Sequence, residues 1–230
     1  MDLFGTDGVL YLLRWIHFLA GITWIGLLYY FNFVQGPFFA ETDAGTKNNA
    51  TAKLVPRALW WFRWGAMFTF LSGLSMLIGL YQMSPTSYLT SQPTKSILIG
   101  ALLGTLMFLN VWLVIWPKQK IVIASTERVL GGGQADPAAA GAGRRAFLAS
   151  RTNTMFSIPM LFFMGAGWHF PKIGIPSNFA LMLITALVLV LEVNSLVGTT
   201  GPLKKPLEKV SGVITSGFVL FVVLFAMAHG

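Results

Sequence analysis

Long apolar stretches alternate with short polar ones along the whole chain. Six of the apolar stretches are long enough to cross a bilayer, which takes about 20 residues in a helix. The breaks between them contain Pro, Gly, Asn and charged residues, which end helices and form loops. The apolar stretches lack the alternating pattern of barrel strands, and only helices and closed barrels satisfy their backbone hydrogen bonds in lipid. The pattern therefore predicts an all-α polytopic membrane protein, a single six-helix transmembrane bundle with spans of about 9–34, 59–82, 96–116, 152–170, 177–197 and 210–229.

The composition supports a membrane protein rather than a soluble one. Hydrophobic residues make up 55% of the chain, charged residues only 10%, and the mean hydropathy is +0.68. These values lie outside the range of ordinary soluble domains. The residues before the first apolar stretch include Asp2 and Asp7 and no lysine or arginine. Since a secretory signal begins with basic residues, we expect the first helix to remain in the mature protein.

The basic residues predict the orientation of the bundle. Lys and Arg concentrate in the cytoplasmic loops of membrane proteins, and thirteen of the 16 in this chain fall in or beside the first, third and fifth loops. Both termini are therefore predicted on the outer, periplasmic side of a bacterial inner membrane. The same distribution accounts for the net charge of +8, so we predict no nucleic-acid partner. The third loop, 117–151, contains the Gly/Ala-rich tract 131–143 and is predicted to be a flexible linker between two halves of the bundle.

The absence of cysteine restricts the redox chemistry that the chain can support. Without a thiol there is no disulfide, iron–sulfur cluster or Cys-x-x-Cys-His attachment of a c-type haem. A redox cofactor would have to be held by histidine, by methionine or by non-covalent packing.

Two of the three histidines form a pattern that suits a b-type haem. His17 lies inside the first predicted helix, and such intramembrane ionisable residues are functional by default. Gly21 follows His17 by four residues and Gly165 precedes His169 by four, so each histidine shares a helix face with a glycine. A flat macrocycle needs that missing side chain beside its axial ligand. We therefore predict a b haem near the outer face with His17 and His169 as iron ligands, and Arg14 one turn away paired with a propionate.

Other interpretations of these residues stay open at this stage. Glycines in membrane helices mostly serve close packing, and a histidine at a helix end can simply sit at the membrane interface. His229 is a weaker candidate ligand, and Met160 and Met164 are more typical of packing. Glu192 is expected to form an ion pair with a buried arginine, either Arg63 or Arg151.

Four stretches together carry a resemblance to a known family. The chain reads RWIHFLAGITWIGLLYYFNFVQGPFF, NVWLVIWPKQKIVIAS, SRTNTMFSIPMLFFMGAGWHF and LEVNSLVG, running from the first predicted helix to the fifth. These stretches resemble the membrane domain of the bacterial membrane-bound urate oxidases, which carry a cytochrome c domain after their membrane part.

The resemblance implies a two-electron oxidation of urate coupled to cytochrome c. Because this sequence has no Cys-x-x-Cys-His, the electrons would pass to a separate periplasmic cytochrome c. Two functions remain open: a haem-b membrane redox protein of the urate oxidase type, or a non-catalytic accessory subunit of a larger respiratory or photosynthetic membrane complex. The first requires Arg14, His17, Gly21, Gly165 and His169 to surround one cofactor, and the second does not.

Overall fold

The computed structural model describes residues 3–170 and 176–229, apart from the side chains of Leu89, Gln92 and Trp168. Lys172, one of the three basic residues outside the first, third and fifth loops, lies outside these residues. Helices account for nearly all of the described chain, and no strand occurs in it, which confirms the all-α fold. The helices are α1 Thr6–Tyr29, α2 Gly36–Glu41, α3 Ala44–Lys53, α4 Val55–Met83, α5 Pro85–Thr90, α6 Gln92–Leu109, α7 Trp116–Leu130, α8 Ala139–His169, α9 Asn178–Leu196, α10 Lys205–Glu208 and α11 Val210–His229.

Five helical stretches among the described residues are long and apolar enough to cross a membrane. They are Thr6–Glu41, Val55–Met83, Pro93–Leu130, Asn178–Leu196 and Val210–His229. The sixth predicted span lies in α8, which has 31 residues but is less apolar than the five. The reason is a run of polar residues that point into the protein: Thr152, Asn153, Thr154 and Ser157 are all buried.

The contacts between described residues show whether neighbouring helices run parallel or antiparallel. α1 runs antiparallel to α4, and α6 runs antiparallel to α8, with Asn110 level with Asn153. α11 runs parallel to α8, because Gly217 lies against Ile158 and Phe225 lies against Phe162. The start of α1 and the end of α11 therefore lie at the same end of the bundle, which we call the terminal end. α8 occupies the centre, in contact with α6, α7, α9 and α11.

The predicted flexible loop over 117–151 is largely helical. α7 covers its first part, α8 begins at Ala139, and only the segment between them lacks helix. The prediction of a flexible loop rested on the glycines of the Gly/Ala tract. The alanines between 138 and 142 favour helix instead, so α8 extends into the tract. Arg144 in this part of α8 forms an ion pair with Glu208 of α10. The hydrogen bonds from Arg144 lower the pKa of the Glu208 carboxyl.

Two π-helical segments interrupt the long helices at equivalent places. Tyr30–Gln35 joins α1 to α2, and Asn110–Ile115 joins α6 to α7. In both cases a proline, Pro37 or Pro117, follows the first residue of the segment by seven positions. Proline has no N–H and clashes with the carbonyl four residues earlier, so a wider turn relieves the helix just before it. Each segment also carries one buried asparagine whose side chain reaches α8.

Close packing of α6 on α8 depends on Gly100. A Cβ added there would lie 2.9 Å from Met164 Cγ, 3.1 Å from Met164 N and 3.2 Å from Met160 O. Because two of these atoms are backbone, Gly100→Ala should push the helices apart and destabilise the protein by about 1–3 kcal/mol. Thermal unfolding in detergent, followed by circular dichroism, measures the change. Gly26→Ala is the control, since no described atom lies within 4 Å of its Cβ position; equal effects of the two variants would contradict the packing argument.

Candidate haem site and buried polar network

His17 lies between α1 and α4, in a slot opened by a glycine. A Cβ added at Gly73 would come within 3.0 Å of His17 Cε1 and 3.3 Å of His17 Nδ1, so only glycine leaves room for the ring. His17 Nδ1 is also 3.3 Å from Ser72 Oγ. The neighbouring helix therefore holds the imidazole by shape and by a polar contact.

The contacts of Ser72 decide which nitrogen of His17 carries the proton. Ser72 Oγ lies 2.6 Å from the carbonyl oxygen of Phe68 and donates its single hydrogen within its own helix. With that hydrogen on a carbonyl of α4, Ser72 Oγ is an acceptor for His17, and this arrangement favours the tautomer with the proton on Nδ1. Nε2 keeps its lone pair, as it does in histidines that bind metals through Nε2 while a neighbour fixes Nδ1.

The glycines of the predicted site leave space along their helices. The Cβ position of Gly21 has only the side chain of Thr69 nearby, at 3.9 Å, and that of Gly165 has no described atom within 4 Å. Arg14 is exposed and lies three residues nearer the terminal end than His17. These features are compatible with the predicted setting.

His17 and His169 lie at the same depth but belong to different helix interfaces. Tyr29 Oη is 2.9 Å from Ser157 Oγ, and each histidine lies twelve residues, about 18 Å, from this bond toward the terminal end. His17 contacts α4. His169 follows Phe162 by seven residues and shares its face, which packs against Phe225 of α11. No contact between His17 and His169 occurs in the described residues, so their predicted pairing remains a prediction.

His229 lies near the same face of α8. Its ring is 5.1 Å from the ring of Phe225, which in turn lies 5.8 Å from Phe162. Because α8 and α11 run parallel, His229 and His169 end their helices at a similar level. The structure thus associates His169 with His229 more directly than the sequence suggested. A cluster of three or more metal-binding residues is not found within the described part of the chain.

A second polar site lies in the other half of the bundle and is built around Asn110. Its Nδ2 donates to Asn153 Oδ1 at 2.9 Å and to Glu192 Oε2 at 3.1 Å, and Asn153 donates to the carbonyl of Met107 at 2.9 Å. We call Asn110, Asn153 and Glu192 the Asn110 network. It joins α6, α8 and α9 at the start of the second π-helical segment.

The expected ion pair of Glu192 with a buried arginine is wrong. Among the described residues no basic nitrogen lies within 4 Å of its carboxyl group, and Asn110 is its partner instead. Arg63 stacks on Trp116 at 3.9 Å, and Arg151 lies over Phe147 at 5.0 Å. Both arginines use aromatic faces, which attract a guanidinium group where no carboxylate is in reach.

A cavity of about 160 Å³ lies beside the first π-helical segment, between α4, α7 and α8. Its polar lining consists of the side chains of Asn32, Gln35, Gln119 and Ser150, and Phe31, Phe62 and Phe147 supply aromatic surface. Sequence reasoning missed this cavity. The pattern Asn-x-x-x-x-Pro that marks the π-helical segment was its one visible signal.

Comparison with known families identifies part of the chain. The family model described as urate oxidase N-terminal matches residues 91–228, more than half of the chain. The matched region contains the Asn110 network and His169, and it does not extend to α1. No curated protein and no solved structure matches the chain.

Proposed function

The chain belongs to the urate oxidase N-terminal family, and on that premise we propose that it is a haem-b-binding membrane redox domain. It would pass electrons from urate or from another donor to a separate periplasmic cytochrome c. The family supplies the urate oxidase-like membrane domain, and haem binding and the electron acceptor are our proposals.

The setting of His17 is the observation that carries the proposal. The contact with Ser72 favours the Nδ1–H tautomer, and the slot at Gly73 restricts the plane of the ring. An imidazole held in this way presents Nε2 as a ready ligand and loses little entropy when it binds iron. The open Cβ position of Gly165 suits a flat group lying against α8, and a Cβ at Gly21 would touch only the side chain of Thr69.

Each residue of the site has a distinct task in this proposal. His17 binds the iron, and His169, at the same depth, is the proposed second ligand. Arg14 pairs with a propionate near the membrane surface. A bound b haem supplies an electron carrier whose potential depends on its axial ligands and on their hydrogen bonds. Ser72 would therefore raise the basicity of His17 and tune that potential.

The proposed architecture completes the bundle with α8 as a sixth span. The polar residues that lower the hydropathy of α8 are buried inside the bundle, where α8 contacts α1, α6 and α9. The surface of α8 that faces outward can therefore still be apolar. With six spans the terminal end faces the periplasm of a bacterial inner membrane, because most lysines and arginines lie near the other end. His17, His169 and His229 would then lie on the side where a periplasmic cytochrome c docks.

The reduced-minus-oxidised absorption spectrum of the detergent-purified chain, with a pyridine haemochrome assay, tests the proposal. We expect a b-type spectrum with about one haem per chain, and then reduction of added cytochrome c by urate. A featureless spectrum from folded protein purified with its native lipids would contradict haem binding. It would favour the second function, a non-catalytic accessory subunit of a larger respiratory or photosynthetic complex.

A further inference from the structure

A group of basic side chains lies at the end of the bundle opposite the terminal end, where α8 meets the segment between α9 and α11. It consists of Arg144, Arg151 and Lys204, and we call it the basic cluster. We propose that the basic cluster binds the head group of an anionic phospholipid that carries two phosphates. This inference goes beyond the proposed function, because the cluster lies at the other end of the bundle from His17 and its occupancy does not require haem.

Arg151 is a buried cation whose hydrogen-bonding groups are not used by the protein. The residue is 5% exposed, and its buried Nε and Nη1 donate to no described residue. The ring of Phe147, whose centroid is 5.0 Å from the guanidinium carbon, attracts the charge but does not replace a hydrogen-bond acceptor. Because a guanidinium group stays protonated, its burial is unfavourable until an anion supplies acceptors.

Glu208, the nearby acid, is already occupied by Arg144. One of its carboxyl oxygens accepts from Arg144 Nη1 at 3.0 Å and the other accepts from Arg144 Nη2. These bonds are the main reason why the pKa of Glu208 is lowered, and Arg151 adds only a weaker electrostatic attraction. Arg144 also lies 5.4 Å from the ring of Phe147. The two arginines therefore share one aromatic ring and one carboxylate, and the carboxylate bonds only to the outer arginine.

Lys204 adds a third cation with unused donors. It is 4% exposed, and its ammonium group donates to Val197 O at 2.7 Å, which leaves two N–H groups without a described partner. Val197 lies two residues from Thr199, whose carbonyl accepts from Arg144 at 3.0 and 3.1 Å. Lys204 and Arg144 thus hold the same loop. Three cations and one carboxylate leave two positive charges of the cluster without a counter-charge.

The surroundings of the basic cluster favour a lipid over a free anion. Leu203 and Val197 are 74% and 66% exposed, and exposed apolar side chains beside cations suit the level at which acyl chains meet head groups. In the proposed orientation this end lies in the cytoplasmic leaflet, where basic pockets between helices bind anionic head groups. Phosphate oxygens form strong, charge-assisted hydrogen bonds with guanidinium groups. A lipid with two phosphates also matches the two charges that lack a counter-charge.

Native mass spectrometry of the full-length chain in detergent, with added cardiolipin as the probe, tests the proposal. We expect one retained cardiolipin per chain and about tenfold weaker binding of phosphatidylcholine, which has no net charge. Arg151→Met should weaken cardiolipin binding about tenfold, and Arg151→Lys, which keeps the charge, should weaken it less. Arg57→Met is the matched control, since Arg57 is an exposed arginine at the same end of the bundle, and it should leave binding unchanged.

Thermal unfolding separates lipid binding from a purely structural role of Arg151. Saturating cardiolipin should raise the unfolding midpoint of the native chain by about 5 °C and leave that of Arg151→Met unchanged. Without lipid the two midpoints should be similar, because the arginine donates no hydrogen bond to the described residues. If Arg151→Met does not fold, Lys204→Gln provides the same test, with weaker cardiolipin binding expected.

Three results would overturn the proposal. The first is equal retention of cardiolipin and phosphatidylcholine, which would indicate ordinary lipid contact without a head-group site. The second is cardiolipin binding that is unchanged in folded Arg151→Met or Lys204→Gln. The third is displacement of cardiolipin by inorganic phosphate, which would make the site one for a free anion. The haem spectrum enters none of these measurements, so their failure is distinguishable from failure of the proposed function.

Discussion

His17→Ala should yield a protein that inserts and folds but retains less than about a tenth of the haem of the native chain. The reason is that a neighbouring helix holds the ring of His17, through the slot at Gly73 and the contact with Ser72. Removal of the ring leaves Ser72 still bonded to Phe68 O, so α4 keeps its own hydrogen bonds. Haem per chain by pyridine haemochrome, beside circular dichroism for folding, measures the effect.

Substitutions around His17 separate ligation from packing. Ser72→Ala should keep the haem but shift its reduction potential or weaken its retention, because the Nδ1–H would lose its acceptor. Arg14→Gln should likewise weaken retention or shift the potential through the loss of a propionate partner. Full haem content with unchanged bands in His17→Ala would remove His17 from the site.

The second ligand is decided by comparing His169→Ala with His229→Ala. The proposal expects His169→Ala to change the spectrum from six-coordinate to five-coordinate iron and His229→Ala to leave it unchanged. A changed spectrum in His229→Ala alone would transfer the role to α11, where His229 lies close to the face of α8 that bears His169.

Asn110→Leu should destabilise the protein by about 2–4 kcal/mol. The substitution leaves Asn153 Oδ1 and the Glu192 carboxyl group without their described donor in the middle of the bundle. A buried acceptor without a partner costs about 1–3 kcal/mol, and more for a group that can carry charge. The leucine also differs from asparagine in shape at a position that is 2% exposed. Denaturation in detergent by increasing sodium dodecyl sulfate gives the free energy of unfolding.

Asn194→Leu is the matched control for the Asn110 network. Asn194 lies on α9 two residues from Glu192, is only partly buried, and has no side-chain hydrogen bond among the described contacts. The same substitution there should change the unfolding free energy by less than about 0.5 kcal/mol. If Asn110→Leu were as mild as Asn194→Leu, the hydrogen bonds of the network would contribute no stability.

The sequence predicted the importance of His17 but not its neighbours, and it predicted the wrong partner for Glu192. The intramembrane position of His17 marked it as functional. Burial of an ionisable group in lipid costs free energy, and such groups are functional by default. Its neighbours Ser72 and Gly73 are 55 and 56 positions away in the chain, and no local pattern reveals such a contact. For Glu192 the same reasoning chose the wrong partner, since complementary charge suggested an arginine while the packing of α6 brought Asn110 closer.

The sequence by itself determined the membrane class and the all-helical fold, because apolar composition and run length depend only on residue type and order. It also placed most spans, since a bilayer imposes one length on every crossing helix. Only the tertiary structure decided the helical extent of α7 and α8, the faces on which His169 and Gln35 lie, the Asn110 network and the cavity. These depend on the rotation and register of one helix against another, which side-chain shapes from distant parts of the chain set together.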